Sequence, residues 1–111
     1  MDDAPEKVFK ILRPAEHAVL ERYGRFAGSP DDERDGFVHL STREQVAGTL
    51  AKHFVGEKDL VVLALSVAAM GDALRWEPSR GGQLFPHLYG AILPSMVLGR
   101  VDPAELDGPG D

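Results

Sequence analysis

Leu60-Val61-Val62-Leu63-Ala64-Leu65, held between Asp59 and Val67, decides how the chain is read. Six consecutive apolar residues without alternation suit a strand covered on both faces, and the run is far too short to cross a bilayer. It belongs at the centre of a sheet. Upstream, Lys7-Val8-Phe9-Lys10-Ile11-Leu12 carries β-branched and aromatic residues and reads as a first strand. Pro14 then opens a helix over Ala15 to Tyr23, with Ala18, Val19 and Leu20 as its apolar side and Gly24 as its stop. Ala27 to Gly36 offers little to bury and many turn formers, so it is expected to be an exposed loop.

Phe37 to Leu40 reads as a short strand, and Ser41-Thr42-Arg43-Glu44 has the form of a capping box opening a helix. Val46, Leu50 and Phe54 give that helix one inward stripe, and Gly56 ends it. Downstream of the apolar run, a short helical or turn segment at Ala68 to Gly71 leads to strands expected over Leu74 to Glu77, Tyr89 to Leu93 and Met96 to Val101. Two helices early and most strands late predict an α+β fold, with a small mixed, mostly antiparallel sheet and two main helices. The expected organisation is one domain over residues 7–102, flanked by flexible acidic tails at 1–6 and 103–111.

The 111 residues allow one domain with its own core. The absence of cysteine excludes disulfides and thiolate metal sites, and with no apolar N-terminal stretch the expected address is cytoplasmic. A formal charge of -6 conceals an uneven distribution. Asp2, Asp3, Glu6, Asp102, Glu105, Asp107 and Asp111 lie outside the body, whereas every lysine and arginine lies between Lys7 and Arg100. The body is therefore close to neutral, with no basic stripe to displace counterions from a polyanion, and nucleic acid is not an expected partner. No dinucleotide fingerprint or Walker loop is present.

Two histidines stand in ordered surroundings, Gly36-Phe37-Val38-His39-Leu40-Ser41 and Phe85-Pro86-His87-Leu88-Tyr89-Gly90. Alternation along an extended strand puts Phe37, His39 and Ser41 on one face, and His87 with Tyr89 on another. His39 would approach the positive end of the following helix, whose field favours a neutral imidazole able to accept a hydrogen bond. Ser41 is accounted for as a helix cap, and no nucleophile elbow surrounds it. Trp76-Glu77 adds an aromatic wall and a carboxylate. His17, His39, His53 and His87 are too widely spaced for a metal-ligand motif, so no metal is expected.

These residues resemble the domain of unknown function 952 family. The likeness is carried by Gly36-Phe37-Val38-His39-Leu40-Ser41-Thr42 with Gln45, by Asp59-Leu60 and Trp76-Glu77, and by Phe85-Pro86-His87-Leu88-Tyr89-Gly90. The resemblance implies an ADP-ribosyltransferase-like fold, as in the NAD-dependent tRNA 2'-phosphotransferases. It further implies that His39, His87 and Tyr89 act catalytically at a pocket for NAD or another nucleotide or phosphorylated sugar. Ser41, Thr42, Arg75, Trp76, Glu77 and Phe85 would line that pocket, with Trp76 or Phe85 stacking on a ring and Arg75 or Arg80 meeting the phosphates. At Phe9-Lys10 the chain departs from the tyrosine-histidine pair usual in the family, and a charged lysine only donates hydrogen bonds. Enzyme and non-catalytic binding module both remain open from the sequence, and the oligomeric state is not readable.

Overall fold

The computed structural model describes residues 5–106. Strand β1 (Lys7–Leu12) is followed by helices α1 (Pro14–Tyr23) and α2 (Pro30–Asp35), strand β2 (Val38–His39) and helix α3 (Arg43–His53). Then come β3 (Val61–Ser66), α4 (Val67–Met70), β4 (Leu74–Pro78), β5 (Leu84–Leu88) and β6 (Val97–Val101). The strands form two three-stranded sheets, ordered β1-β3-β6 and β2-β5-β4. The fold is α+β, as expected. Every strand pair is antiparallel, so the single mixed sheet of the sequence reading is replaced by two antiparallel ones.

The sheets are joined where Phe9 and Ser41 exchange backbone hydrogen bonds of 2.8 and 2.9 Å. Between them lies the larger core: Val8, Leu12, Leu63 and Leu65 from the first sheet meet Val38, Leu74 and Leu88 from the second, with Leu20, Phe26 and Ile92 filling in. The other face of the first sheet presents Phe9, Ile11, Val62 and Ala64 to Val46 of α3 and to Leu106. β3 is central and apolar on both faces because both faces are covered, which is the arrangement its unbroken run predicts.

Among the described residues four α-helices stand where two main ones were expected, although α1 and α3 are the long pair. The additional α2 corrects the exposed loop expected at Ala27 to Gly36. Ser29 and Asp32 cap it reciprocally, Ser29 Oγ accepting from the Asp32 N–H at 3.2 Å and Asp32 Oδ2 from the Ser29 N–H at 2.9 Å. Pro30 sits in its first turn. Residues that read as turn formers are thus the N-terminal signals of a short helix.

The strand expected at Tyr89 to Leu93 lies instead at Leu84–Leu88. Its Pro86 argues against a central strand, since it cannot donate to a ladder. Pro86 is accommodated because its carbonyl accepts from the Leu40 N–H at 3.0 Å but its nitrogen returns nothing, so the pairing with β2 stops at His39 and His87. Of the expected tails, residues 1–4 and 107–111 lie outside the described residues. Pro103–Leu106 is not a tail: it forms a 3-10 turn that buries Leu106 in the second core. Among the described residues no helix is long and apolar enough to cross a membrane.

Replacing Leu106 with alanine is expected to lower stability in urea denaturation by about 2–5 kcal/mol, the usual cost of emptying a buried leucine site. Leu98→Ala, at a position 57% exposed on β6, is expected to stay within roughly 0.5 kcal/mol of the parent.

Candidate functional site

Register brings the two histidines together. His39 and His87 are directly opposed on β2 and β5, their ring centroids 5.7 Å apart and nearly perpendicular. Their neighbours Val38 and Leu88 point into the core, so strand alternation turns both imidazoles to the other face. Phe37 lies flat on the His87 ring at 3.9 Å and tilts toward His39 at 4.7 Å. Both histidines line a cleft of about 450 Å³, together with Lys10, Asp32, Asp35, Ser41, Lys52 and Phe85.

Each imidazole is held by carboxylate. Glu77 Oε1 accepts from His87 Nδ1 at 2.7 Å and from the Tyr89 hydroxyl at 2.8 Å. The hydrogen bond from His87, then that from Tyr89, keeps the Glu77 carboxyl below its ordinary pKa, and the same contact raises that of the Tyr89 phenol. His87 itself is 4% exposed. Its Nε2 bonds to no described residue, yet is not sealed from solvent.

His39 lies between two aspartates, Nδ1 at 2.6 Å from Asp32 Oδ1 and Nε2 at 3.0 Å from Asp35 Oδ2. Ionised carboxylates only accept, so a ring nitrogen bonded to either one is a donor. With Nδ1 on Asp32 and Nε2 facing Asp35, neither ring nitrogen of His39 is placed to accept a hydrogen bond from a ligand hydroxyl, contrary to the expectation from sequence. Asp32 is 2% exposed and also accepts from Lys10 Nζ at 2.9 Å and from the His39 N–H at 3.1 Å. Burial alone would push its carboxyl up. The hydrogen bond from His39, the charge of Lys10 and the Ser29 N–H outweigh that and hold its pKa far below the ordinary value.

Not all the expected site residues converge. His39, His87, Ser41 and Phe85 line the cleft, and Glu77 and Tyr89 support His87 from beside it. Ser41 is not the helix cap: it is buried, its hydroxyl 3.1 Å from that of Thr49. Thr42 is the cap, its N–H donating to Gln45 Oε1 at 3.0 Å, and it does not line the cleft. Trp76 packs against the larger core, and Arg75 lies over the Tyr89 ring at 5.1 Å. The side chain of Arg80 lies outside what is described.

Sequence reasoning missed Asp32 and Asp35, which it had placed in a loop, and it read Lys10 only as a departure from a family pattern. The available signal was the helix start at Ser29-Pro30-Asp31-Asp32. What no spacing shows is the return at Gly36, whose left-handed φ of 86° carries the chain back so that His39 meets the aspartate seven residues before it. Gly28 is needed too. A Cβ there would come within 2.7 Å of the Asp32 Cβ.

The family model described as "Protein of unknown function (DUF952)" matches residues 11–100, and the chain belongs to that family. It is similar to protein CC0527 from Caulobacter crescentus, whose crystal structure aligns with a TM-score of 0.82 at 47% identity, covering 86% of this chain and 84% of that one. The solution NMR structure of CC0527 aligns with a TM-score of 0.77 at 46% identity, over 88% and 84% of the two chains. No curated protein matches. Among the described residues, no group of three or more histidines and carboxylates could hold a metal ion.

Asp32→Asn is expected to cost about 3–5 kcal/mol at neutral pH in urea denaturation, because it leaves the Lys10 ammonium buried without its counter-charge. The pH dependence follows from the depressed pKa. The stabilisation from Asp32 is complete above the unfolded carboxylate value of about 3.9 and is lost as pH falls below it toward the folded value. Asp32→Asn should therefore show a shallower loss of stability between neutrality and pH 3 than the parent.

Proposed function

We propose that the cleft binds a small phosphorylated ligand of the sugar or nucleotide class, and that His87 exchanges a proton with a hydroxyl of that ligand in phosphotransferase-like chemistry. One observation carries the reading: Glu77 fixes His87 through Nδ1, while Nε2 has no bond to a described residue and His87 lines a cleft. An imidazole anchored in this way has a set tautomer and a defined direction, which general acid–base catalysis needs. The volume lies within the usual range for small-molecule sites. Charge favours an anion. Asp31, Asp32 and Asp35 are all in ion pairs, whereas Lys52 lines the cleft with no carboxylate partner among the described residues.

The reaction class comes from the resemblance to ADP-ribosyltransferase-type folds, and the fit to NAD itself is poor. Phe85 lines the cleft, but Trp76 packs against the larger core and Arg75 lies over the Tyr89 ring, so the residues meant for the second half of a dinucleotide are not assembled. The proposal is accordingly limited to a ligand of mononucleotide size or smaller.

Titration with ribose 5-phosphate and AMP, read on the histidine ring nitrogens by NMR, is expected to move His87 and His39, with unphosphorylated ribose as control. Silence of both rings at millimolar ligand would overturn the reading. If a probe is turned over, His87→Gln should slow the reaction by about 10²–10⁴-fold, the ordinary contribution of a general acid–base group. Recovery of every bound probe unchanged after prolonged incubation would leave a binding module without proton transfer.

A further inference from the structure

We infer that Nε2 of His39 is the anion subsite of the cleft, and that in the free protein Asp35 fills it with its own carboxylate where a ligand's phosphoryl oxygen would sit. The inference rests on the ligand class proposed above and adds where the charged group binds.

The two aspartates on His39 differ in what else holds them. Asp32 accepts from the ring Nδ1, from the His39 and Ser29 N–H groups and from Lys10, and only 2% of its side chain is exposed. It cannot leave without breaking the ion pair beneath the cleft. Asp35 is one-third exposed, and its other ion pair is with Arg34, its chain neighbour, whose side chain is 69% exposed. A rotation about its side chain would free His39 Nε2 at the loss of surface contacts, which contribute little.

The helix itself gives no reason for an acid at this position. Asp35 is the last residue of α2, where the carbonyl end of a helix disfavours negative charge. Its carboxylate is instead shared between the His39 ring, at 3.0 Å, and the Arg34 side chain, at 3.2 Å. Arg34, Asp35, His39 and Lys10 all line the cleft. The Lys10 ammonium has three donors and uses two, on Asp32 and on the His39 carbonyl at 3.1 Å, which leaves one N–H for an incoming oxygen. With Asp35 swung out, the cleft presents a phosphoryl group with His39 Nε2, Arg34 and that remaining N–H. Asp35 thereby sets a threshold: an anionic group enters the subsite only if it competes with a resident carboxylate.

Asp35→Asn separates this subsite from the general reading, because removing the acid should improve binding. The variant is expected to bind ribose 5-phosphate roughly five- to tenfold more tightly than the parent, the scale of one nearby like charge at a partly exposed site. Binding of unphosphorylated ribose should not change. Glu33→Gln is the control. It removes a charge from the same helix, but among the described residues Glu33 neither lines this cleft nor forms an ion pair with Arg34 or His39. Its effect should be less than twofold.

Equal gains from the two substitutions would overturn the inference by showing a diffuse field, and so would an unchanged or weaker affinity in Asp35→Asn. If the parent binds the phosphorylated probe with shifts at His87 and Asp35→Asn shows no gain, the subsite falls while the proposed function stands. If neither protein binds any phosphorylated probe, both fall.

Discussion

The buried ion pair between Lys10 and Asp32 is the constraint on which the rest of the molecule depends. Lys10 comes from β1 in the first sheet and Asp32 from α2, and the aspartate also holds the ring and N–H of His39 in the second sheet. Removing two charges from water is costly, and the pair persists only because its remaining hydrogen-bonding capacity is used. Four groups donate to Asp32, and the Lys10 ammonium reaches the His39 carbonyl as well. One polar knot thereby fixes the position of α2, the seat of β2 and the orientation of an imidazole. Its geometric demands are strict enough that a Cβ at position 28 would collide with it.

Above the knot, the histidines occupy opposed positions of one ladder in unlike environments. His87 is nearly buried, anchored through one nitrogen by Glu77 and covered by the Phe37 ring, so it is rigid and directional. His39 is more exposed and sits between a fixed carboxylate and a replaceable one. In the function proposed above, the two rings divide binding from proton transfer, because their partners come from different elements: α2 for His39 and β4 for His87.

Much of this was legible in one dimension. The unbroken apolar run at Leu60 to Leu65 marked the doubly covered strand, Gly24 marked the end of α1, and alternation put His39 on one face with Phe37. Short-range signals of this kind survive folding because backbone geometry imposes them wherever the segment lies. Misreadings came where a local rule met a long-range partner. The strand expected at Tyr89 to Leu93 begins instead at Leu84, because Pro86 is held in the sheet by the Leu40 N–H, from which its carbonyl accepts. Trp76 was assigned to a pocket but packs, partly buried, against the larger core, since a strand residue's face is set by which neighbouring sheet covers it.

The sequence by itself determined the α+β class, the central strand, the two long helices and the identity of the imidazoles, all from periodicity, capping and turn chemistry acting over a few residues. Only the tertiary structure decided that His39 and His87 face each other, that Asp32 lies beneath one and Glu77 beside the other, and that Lys10 is buried at the base of the cleft. Those pairings join residues 7 to 48 positions apart across two sheets and a six-residue helix. Nothing in chain spacing encodes them, because register and the packing of α2 are settled by which arrangement satisfies every buried charge at once.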